Sequence, residues 1–189
     1  EAMQAIAHHV PAAAAMRDAV KKAHVANNSG NNEWYTPAEY IDMARQVMGA
    51  IDTDPASSAV ANQTVQAKCF YTADDDGLTK TWSGRVWMNP PYARPLIADF
   101  ADAVASKIES GEITEACILV NNGTETAWFQ RMLDAASAVC FPRRRIRFID
   151  PTGAPSGAPL QGQAVIYMGS NAKLFADVFS QKGKVLHAG

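Results

Sequence analysis

The chain has 189 residues, of which 48% are hydrophobic and 19% charged, a balance typical of one globular domain with a buried core. No apolar run is long enough to span a membrane, and the formal net charge of −2 excludes a general attraction to nucleic acid, so such binding needs a local basic patch. Residues 1–16 lack the basic start and continuous apolar stretch of a secretory signal, so we expect a soluble, cytoplasmic protein.

The N-terminal part is predicted to be an appendage to the domain. Residues 11–25 are rich in alanine and predict a helix, and the sequence NNSGNN at 27–32 is typical of a linker. We therefore expect residues 1–30 to form an N-terminal helix and linker, and residues 31–189 to form the globular domain.

The sequence TPAEYIDMARQVMG, residues 36–49, predicts the first helix of that domain. Thr36 is the expected N-cap, Pro37 the first helical residue and Glu39 the partner in a capping box. Apolar residues recur at helical spacing and Gly49 is the expected stop.

Strands and helices then alternate. Strands are predicted at 50–54, 84–88, 115–122, 138–150 and 162–169, and helices at 95–111, 125–136 and 171–183, with an irregular region between residues 56 and 84. This alternation predicts an α/β fold with a mostly parallel sheet, helices on both faces and a C-terminal antiparallel hairpin. Ligands bind such sheets beyond the carboxyl ends of the strands, which here carry Asp54-Pro55, Asn89-Pro90 and Asn121-Asn122.

The strand at 84–88 runs directly into Asn89-Pro90-Pro91-Tyr92. Two adjacent prolines remove two backbone donors and fix two φ angles, so the strand must end and the turn must be rigid. One interpretation is a plain strand terminator with an aromatic residue packed beneath it. The other is a site in which Asn89 and Tyr92 are held still for chemistry.

Five ordered sequence stretches resemble those of the phage-type DNA N6-adenine methyltransferases, the Dam-like family. They are NEWYTP at 32–37, DPAS at 54–57, DDGL at 75–78, WSGRVWMNPPY at 82–92 and TAWF at 126–129, and the resemblance covers residues 31–170. It implies a Rossmann-like fold and an enzyme that transfers a methyl group from S-adenosylmethionine to N6 of adenine in DNA, with S-adenosylhomocysteine as product. It also implies a phage or prophage context, a role in protection from restriction, and a short target such as GATC.

The resemblance assigns Asn89, Pro90, Pro91 and Tyr92 to catalysis. An exocyclic amine is a weak nucleophile, so fixed hydrogen-bond acceptors around its N–H groups favour attack; the Asn89 side-chain carbonyl and the Pro90 backbone carbonyl are such acceptors. Tyr92 offers a ring on which a flipped base can stack.

The resemblance places Asp54, Ala56 and Ser57 at the methionine end of the cofactor, and Asp76 at the adenosine. It also implies that a segment closes over the cofactor, formed by Trp34, Tyr35, Thr36 and Pro37. The chain departs from most methyltransferases because a Gly-rich turn is absent after the first strand, so the small side chains of DPASS must allow close approach. Without the resemblance, Asp76 would be interpreted as part of a solvated acidic turn.

Contact with DNA is predicted for Arg143, Arg145 and Arg147, which would share one side of a strand, with Arg144, Ile146 and Phe148 on the other. The alternative is a charged edge strand that resists aggregation. The chain leaves no room for a separate target-recognition domain, so we expect target preference to come from loops 59–82 and 150–162, to be relaxed, or to depend on a partner such as a second copy in a homodimer.

Three widely spaced cysteines, Cys69, Cys117 and Cys140, indicate reduced and mostly buried thiols, and no metal site is expected. Two alternatives to adenine methylation stay open at this point. One is methylation of cytosine N4 or of an amine in RNA, which needs nearly the same acceptors. The other is a catalytically idle module that binds DNA or protein.

Overall fold

The computed structural model describes residues 35–150, 152–155 and 161–188. The predicted N-terminal helix and linker, and Trp34 of the predicted cofactor segment, lie outside the described residues. Within them, no helix has both the length and the apolar character needed to cross a membrane.

The described residues form seven strands, five α-helices and one short 3-10 helix. Every strand and helix predicted within the described ranges is present, whereas α2, β2, the 3-10 helix and β7 were not predicted. In chain order the elements are α1 (Ala38–Met48), β1 (Thr53–Asp54), α2 (Ala61–Val65), β2 (Cys69–Phe70), the 3-10 helix (Gly77–Thr79), β3 (Gly84–Met88), α3 (Leu96–Glu109), β4 (Ile113–Asn121), α4 (Ala127–Asp134), β5 (Ala138–Pro142), β6 (Gln163–Met168), α5 (Ala172–Phe179) and β7 (Gly183–His187).

The strands form one sheet in the order β2-β1-β3-β4-β6-β5-β7. Strands β2, β1, β3, β4 and β5 run in one direction, whereas β6 and β7 run in the other. Strands β5 and β6 form the predicted antiparallel hairpin. The predicted α/β class and the C-terminal antiparallel hairpin are therefore confirmed. The sheet is mixed, because pairing is parallel from β2 to β4 and antiparallel from β4 to β7.

Both faces of the sheet are covered, because alternate strand residues point to opposite sides. Helices α1, α2 and α5 pack on one face, where Trp87, Cys117 and Leu119 belong to the same core. Helices α3 and α4 pack on the other face, over Val86 and Ile118. Buried side chains on both sides of β3 and β4 hold the carboxyl ends of these strands in place.

The sheet has a topological switch point between β1 and β3. From β1 the chain passes through α2 to β2 on one side, and from β3 it passes through α3 to β4 on the other side. A crevice opens at the carboxyl ends of two strands whose connections diverge in this way, and it is the usual ligand position in α/β sheets. Asp54 ends β1 and Asn89 follows β3, so both residues lie at this crevice.

The start of α1 differs from the prediction. Pro37 is the N-cap residue and makes no side-chain cap hydrogen bond, and the helix begins at Ala38. The capping box of Thr36 and Glu39 does not form, because the Thr36 side chain contacts Asn89 and Glu39 pairs with Lys182. The predicted stop at Gly49 is confirmed, with φ of 82°.

Candidate active site

Asn89 is the centre of a small hydrogen-bonded cluster at the carboxyl end of β3. Its Nδ2 donates to Thr36 Oγ1 at 3.2 Å. Its Oδ1 accepts from the Tyr92 hydroxyl at 2.8 Å. Thr36 is buried, with 7% of its surface exposed. The structure therefore brings together residues that the resemblance had divided between cofactor and substrate.

The two prolines explain why the cluster is rigid. Met88 is the last residue of β3 paired with β4, opposite Ile118, so Asn89 lies just beyond the ladder. Pro90 is buried and Pro91 half-buried. The Pro90 carbonyl accepts no hydrogen bond from other described residues, so its oxygen is available to a ligand.

Tyr92 packs against the core on the α3 and α4 side of the sheet. Burial raises the pKa of its phenol well above the ordinary value. The hydroxyl therefore stays protonated and acts as a donor to Asn89 Oδ1. In this conformation the Tyr92 hydroxyl donates to the oxygen, Asn89 Oδ1, that the resemblance assigns as acceptor for the substrate amine.

A second cluster forms where β1 ends. Asp54 is 2% exposed, and its Oδ1 accepts from the Ala56 backbone N–H at 3.2 Å. Burial raises the pKa of the Asp54 carboxyl to about 7, and the Ser57 hydroxyl and the Ala56 N–H oppose this rise. The Ser57 hydroxyl is buried, and among the described residues it has no partner with standard hydrogen-bond geometry.

Asp76 lies next to this second cluster because Gly77 packs directly on Pro55. A Cβ placed on Gly77 would be 1.9 Å from the Pro55 carbonyl oxygen, which leaves room only for glycine. The Trp82 indole N–H donates to the Gly77 carbonyl at 2.8 Å and so helps to fix the turn at Asp76 and Gly77. Among the described residues, the Asp76 carboxylate makes no hydrogen bond or ion pair.

Tyr35 and Pro37 connect the Asn89 cluster to the arginine-rich segment. Tyr35 and Ile149 exchange two backbone hydrogen bonds, both of 2.8 Å. Pro37 lines an open groove on the outside of α1. Thr36 of this segment thus contacts Asn89, and Pro37 lines the same groove as the arginines.

The groove has a volume of about 850 Å³ and a basic lining. Among the described residues, four arginines and Lys182 line it against one acidic residue, Glu39. Glu39 forms an ion pair with Lys182, whose ammonium group lies 5.2 Å from the centre of the Tyr40 ring. The described residues that line it are Pro37, Glu39, Tyr40, Arg143, Arg144, Arg145, Ile146, Arg147, Ile149, Pro155, Gln181 and Lys182.

The predicted strand at 138–150 is wrong in its second half. Strand β5 ends at Pro142, and residues 143 and 144 form a bend. Arg144 is therefore exposed together with the other three arginines, whereas Ile146 and Phe148 are buried. The sequence could have indicated Arg144 as a groove residue, because it stands in the same run as the other three arginines. Lys182 carried no such signal, because it reaches the groove from a distant part of the chain.

Two of the three cysteines are buried in the structure. Cys117 and Cys140 are buried, whereas Cys69 is exposed. Within the described ranges, no three or more His, Cys, Asp or Glu residues are arranged to hold a metal ion.

Comparison with known proteins gives consistent results. A family model described as DNA N-6-adenine-methyltransferase (Dam) matches residues 22–176. The chain is 31% identical over 124 residues to the DNA N-6-adenine-methyltransferase of Haemophilus phage HP1 (strain HP1c1), which covers 65% of this chain and 69% of the phage protein. It is 29% identical over 108 residues to the DNA N-6-adenine-methyltransferase of Escherichia phage T1, or 56% of this chain and 42% of that protein.

Proposed function

The chain belongs to the DNA N-6-adenine-methyltransferase (Dam) family, and from this premise we propose that it methylates adenine N6 in DNA at residues 89–92, with S-adenosylmethionine as donor. The family assignment makes the chain an adenine-specific DNA methyltransferase, and its α/β sheet is consistent with a Rossmann-like methyltransferase fold. The proposal adds the methyl donor and the role of each residue.

One observation carries the proposal. Two polar clusters, one at Asn89 and one at Asp54, lie at the carboxyl ends of neighbouring strands at the switch point of the sheet. Each contains a polar group without a well-formed hydrogen bond among the described residues, the Pro90 carbonyl in one and the Ser57 hydroxyl in the other. A plain strand terminator would need neither, so the arrangement favours two ligands that meet across the crevice.

The residues around Asp54 fit S-adenosylmethionine, which when bound supplies an electrophilic methyl group on a positively charged sulfur. Asp54 and Ser57 would hold the methionine end, and a cation beside Asp54 would favour its ionised form because opposite charges lower a carboxyl pKa. Asp76 would accept a hydrogen bond from the adenosine part, since its carboxylate has no partner in the described structure. Ala56 allows close approach through its small side chain.

Asn89 and Pro90 would act on the substrate amine. The Asn89 Oδ1 and the Pro90 carbonyl oxygen would accept hydrogen bonds from the two N–H groups of N6. These bonds reduce the conjugation of the amine with the adenine ring, so that its lone pair can attack the methyl group. Pro91 keeps this geometry rigid. Tyr92 must release Asn89 Oδ1 before the amine can bind there, and its ring then offers the flipped base a surface for stacking.

We also assign DNA phosphate binding to Arg143, Arg145 and Arg147, and add Arg144 and Lys182 from the same groove. The alternative required a charged edge strand, but β5 lies between β6 and β7, and the arginines come after it ends. Pro155 also lines the groove, so the loop predicted at 150–162 starts beside these arginines and is placed to influence target preference. Residues 151 and 156–160 of that loop lie outside the described structure.

The experiment that tests the proposed function is methyl transfer from labelled S-adenosylmethionine to unmethylated DNA, followed by digestion and mass spectrometry of the nucleosides. We expect label in N6-methyladenine, and mapping it will reveal whether the target is GATC or relaxed. Label in N4-methylcytosine, or in RNA alone, would contradict the choice of acceptor. Cofactor binding without transfer to any nucleic acid would favour the idle binding module.

The groove arginines give a separate prediction. The variants Arg143→Gln and Arg147→Gln should each weaken DNA binding by a similar factor for all sequences, because phosphate contacts carry no sequence information. Each should reduce the slope of log affinity against log salt concentration by about 1. Fluorescence anisotropy across a salt series measures both effects.

Lys173→Gln is the matched control, because it removes the same charge from an exposed position on α5 that does not line the groove. An unchanged salt slope in both arginine variants, or an equal change in the Lys173 variant, would contradict the assignment.

A further inference from the structure

We infer that Thr36 is a positioning residue for Asn89: its hydroxyl oxygen holds the amide NH2 group and so directs the amide oxygen toward the substrate amine. The inference rests on the proposed function, and it gives Thr36 a role different from the cofactor contact that the resemblance implies. It starts from the 3.2 Å hydrogen bond between Asn89 Nδ2 and Thr36 Oγ1.

The orientation of the Asn89 amide decides whether the site can work. The two ends of an amide have nearly the same shape but opposite hydrogen-bonding character, one end accepting and the other donating. Rotated by half a turn, Asn89 would present N–H groups to the N–H groups of adenine. Pro90 and Pro91 restrain the backbone, but the last side-chain torsion of asparagine is broad and roughly two-fold, so a neighbouring side chain must set it.

Thr36 is held well enough to do this. Its neighbour Tyr35 is fixed by two backbone hydrogen bonds to Ile149, and the following Pro37 restricts the backbone of Thr36. The Thr36 hydroxyl is buried and does not cap α1, although a threonine at this position is well suited to that task. Its observed partner is a side chain 53 residues away in sequence.

Tyr92 supports the same orientation from the other end of the amide, because its hydroxyl donates to Asn89 Oδ1 at 2.8 Å. A phenol shares its oxygen lone pair with the ring, so it is a better donor and a poorer acceptor than an aliphatic hydroxyl. The amide NH2 is therefore best placed against Thr36, with the carbonyl toward Tyr92. Arrival of the adenine amine replaces the Tyr92 contact, whereas the Thr36 contact can persist.

The test compares Thr36→Val, which keeps the shape but removes the hydroxyl, with Thr36→Ser, which keeps the oxygen. We expect Thr36→Val to lower kcat for DNA methylation by about tenfold or more, the usual effect of losing a group that orients a reactive one. Its Kd for S-adenosylmethionine should stay within about twofold of wild type, since the hydroxyl orients Asn89. Thr36→Ser should restore most of the rate.

Two controls separate this effect from a general loss of structure. Thr114→Val makes the same chemical change at an exposed position near the amino end of β4, whereas Asn89 lies at the carboxyl end of the parallel strand β3, so this control should leave kcat unchanged. Melting temperatures of all variants show whether the fold is intact. A kcat loss that the serine variant does not restore would overturn the inference.

The Asn89→Asp background gives a sharper comparison. A carboxylate has two equivalent oxygens and needs no neighbour to choose between them, so Thr36→Val should lower the rate less in Asn89→Asp than in the wild-type background. Equal losses in both backgrounds would overturn the inference, as would an effect of Thr36→Val confined to cofactor affinity. Full activity of Thr36→Val with an inactive Asn89→Ala would reject the role of Thr36 and leave the proposed function standing, whereas an active Asn89→Ala would reject the proposed site itself.

Discussion

The Asn89→Ala variant should methylate DNA at least about 100-fold more slowly than the wild-type protein. Removing one preorganised hydrogen-bonding group from the position where charge develops typically costs this much in rate. Asn89 supplies a side-chain acceptor at a turn that two prolines hold rigid, and alanine has no group to replace it. Single-turnover transfer from labelled S-adenosylmethionine measures the chemical step directly.

The same variant should bind S-adenosylmethionine with unchanged affinity, as measured by calorimetry, because the cofactor is assigned to the cluster around Asp54. Asn171→Ala is the matched control. Asn171 also makes a side-chain hydrogen bond, to Glu115 at 3.0 Å, but it follows the antiparallel strand β6 and so lies toward the amino ends of β3 and β4. Activity of Asn89→Ala within tenfold of wild type, or equal losses in both variants, would contradict the role of Asn89.

Gly77→Ala should weaken binding of S-adenosylmethionine by about tenfold or more. The added Cβ would be 1.9 Å from the Pro55 oxygen and 2.9 Å from the Pro55 carbonyl carbon, so one of the two turns must move. Because backbone atoms are on both sides of this contact, the movement must displace either Asp76 or the residues from Asp54 to Ser57. Overpacking of this kind costs about 1–3 kcal/mol, and calorimetric titration will show how much of it appears in cofactor affinity.

Gly183→Ala separates this local effect from a loss of stability. Its Cβ would also lie 1.9 Å from a carbonyl oxygen, that of Phe141, but at the pairing of β5 with β7. It should lower the midpoint of urea unfolding while the folded protein keeps normal cofactor affinity. If Gly77→Ala leaves the affinity unchanged, or if both variants weaken it equally, the Asp76 turn does not belong to the cofactor site.

The rigid turn at 89–92 was predictable because its cause is local. An apolar strand followed by two prolines must end at a fixed point, and the structure confirms that β3 stops at Met88. Helix α3 and the buried strand β4 were also predictable, because hydrophobic periodicity is a local property of the sequence. Strand β7 was missed because it has only five residues, and its apolar content is interrupted by Lys184.

Thr36 shows where local reasoning failed. Its position before Pro37 predicted a capping box, since threonine commonly accepts the first free N–H of a helix. The hydroxyl instead meets Asn89, a choice that depends on how α1 packs beside β3. Glu39 does not take part in the predicted capping box either, because it pairs with Lys182. That partner lies 143 residues further along the chain, so local sequence could not reveal it.

The sequence by itself determined the positions of most strands and helices, the α/β class, the family resemblance and the residues expected at the active site, because these depend on side-chain pattern and on short motifs. Only the tertiary structure decided which residues meet: Thr36 with Asn89, Gly77 with Pro55, and the arginines with Lys182. The physical reason is that hydrogen bonds and close packing act over a few ångströms in space. Residues distant in the chain come within that range only when the sheet order and the helix packing are set.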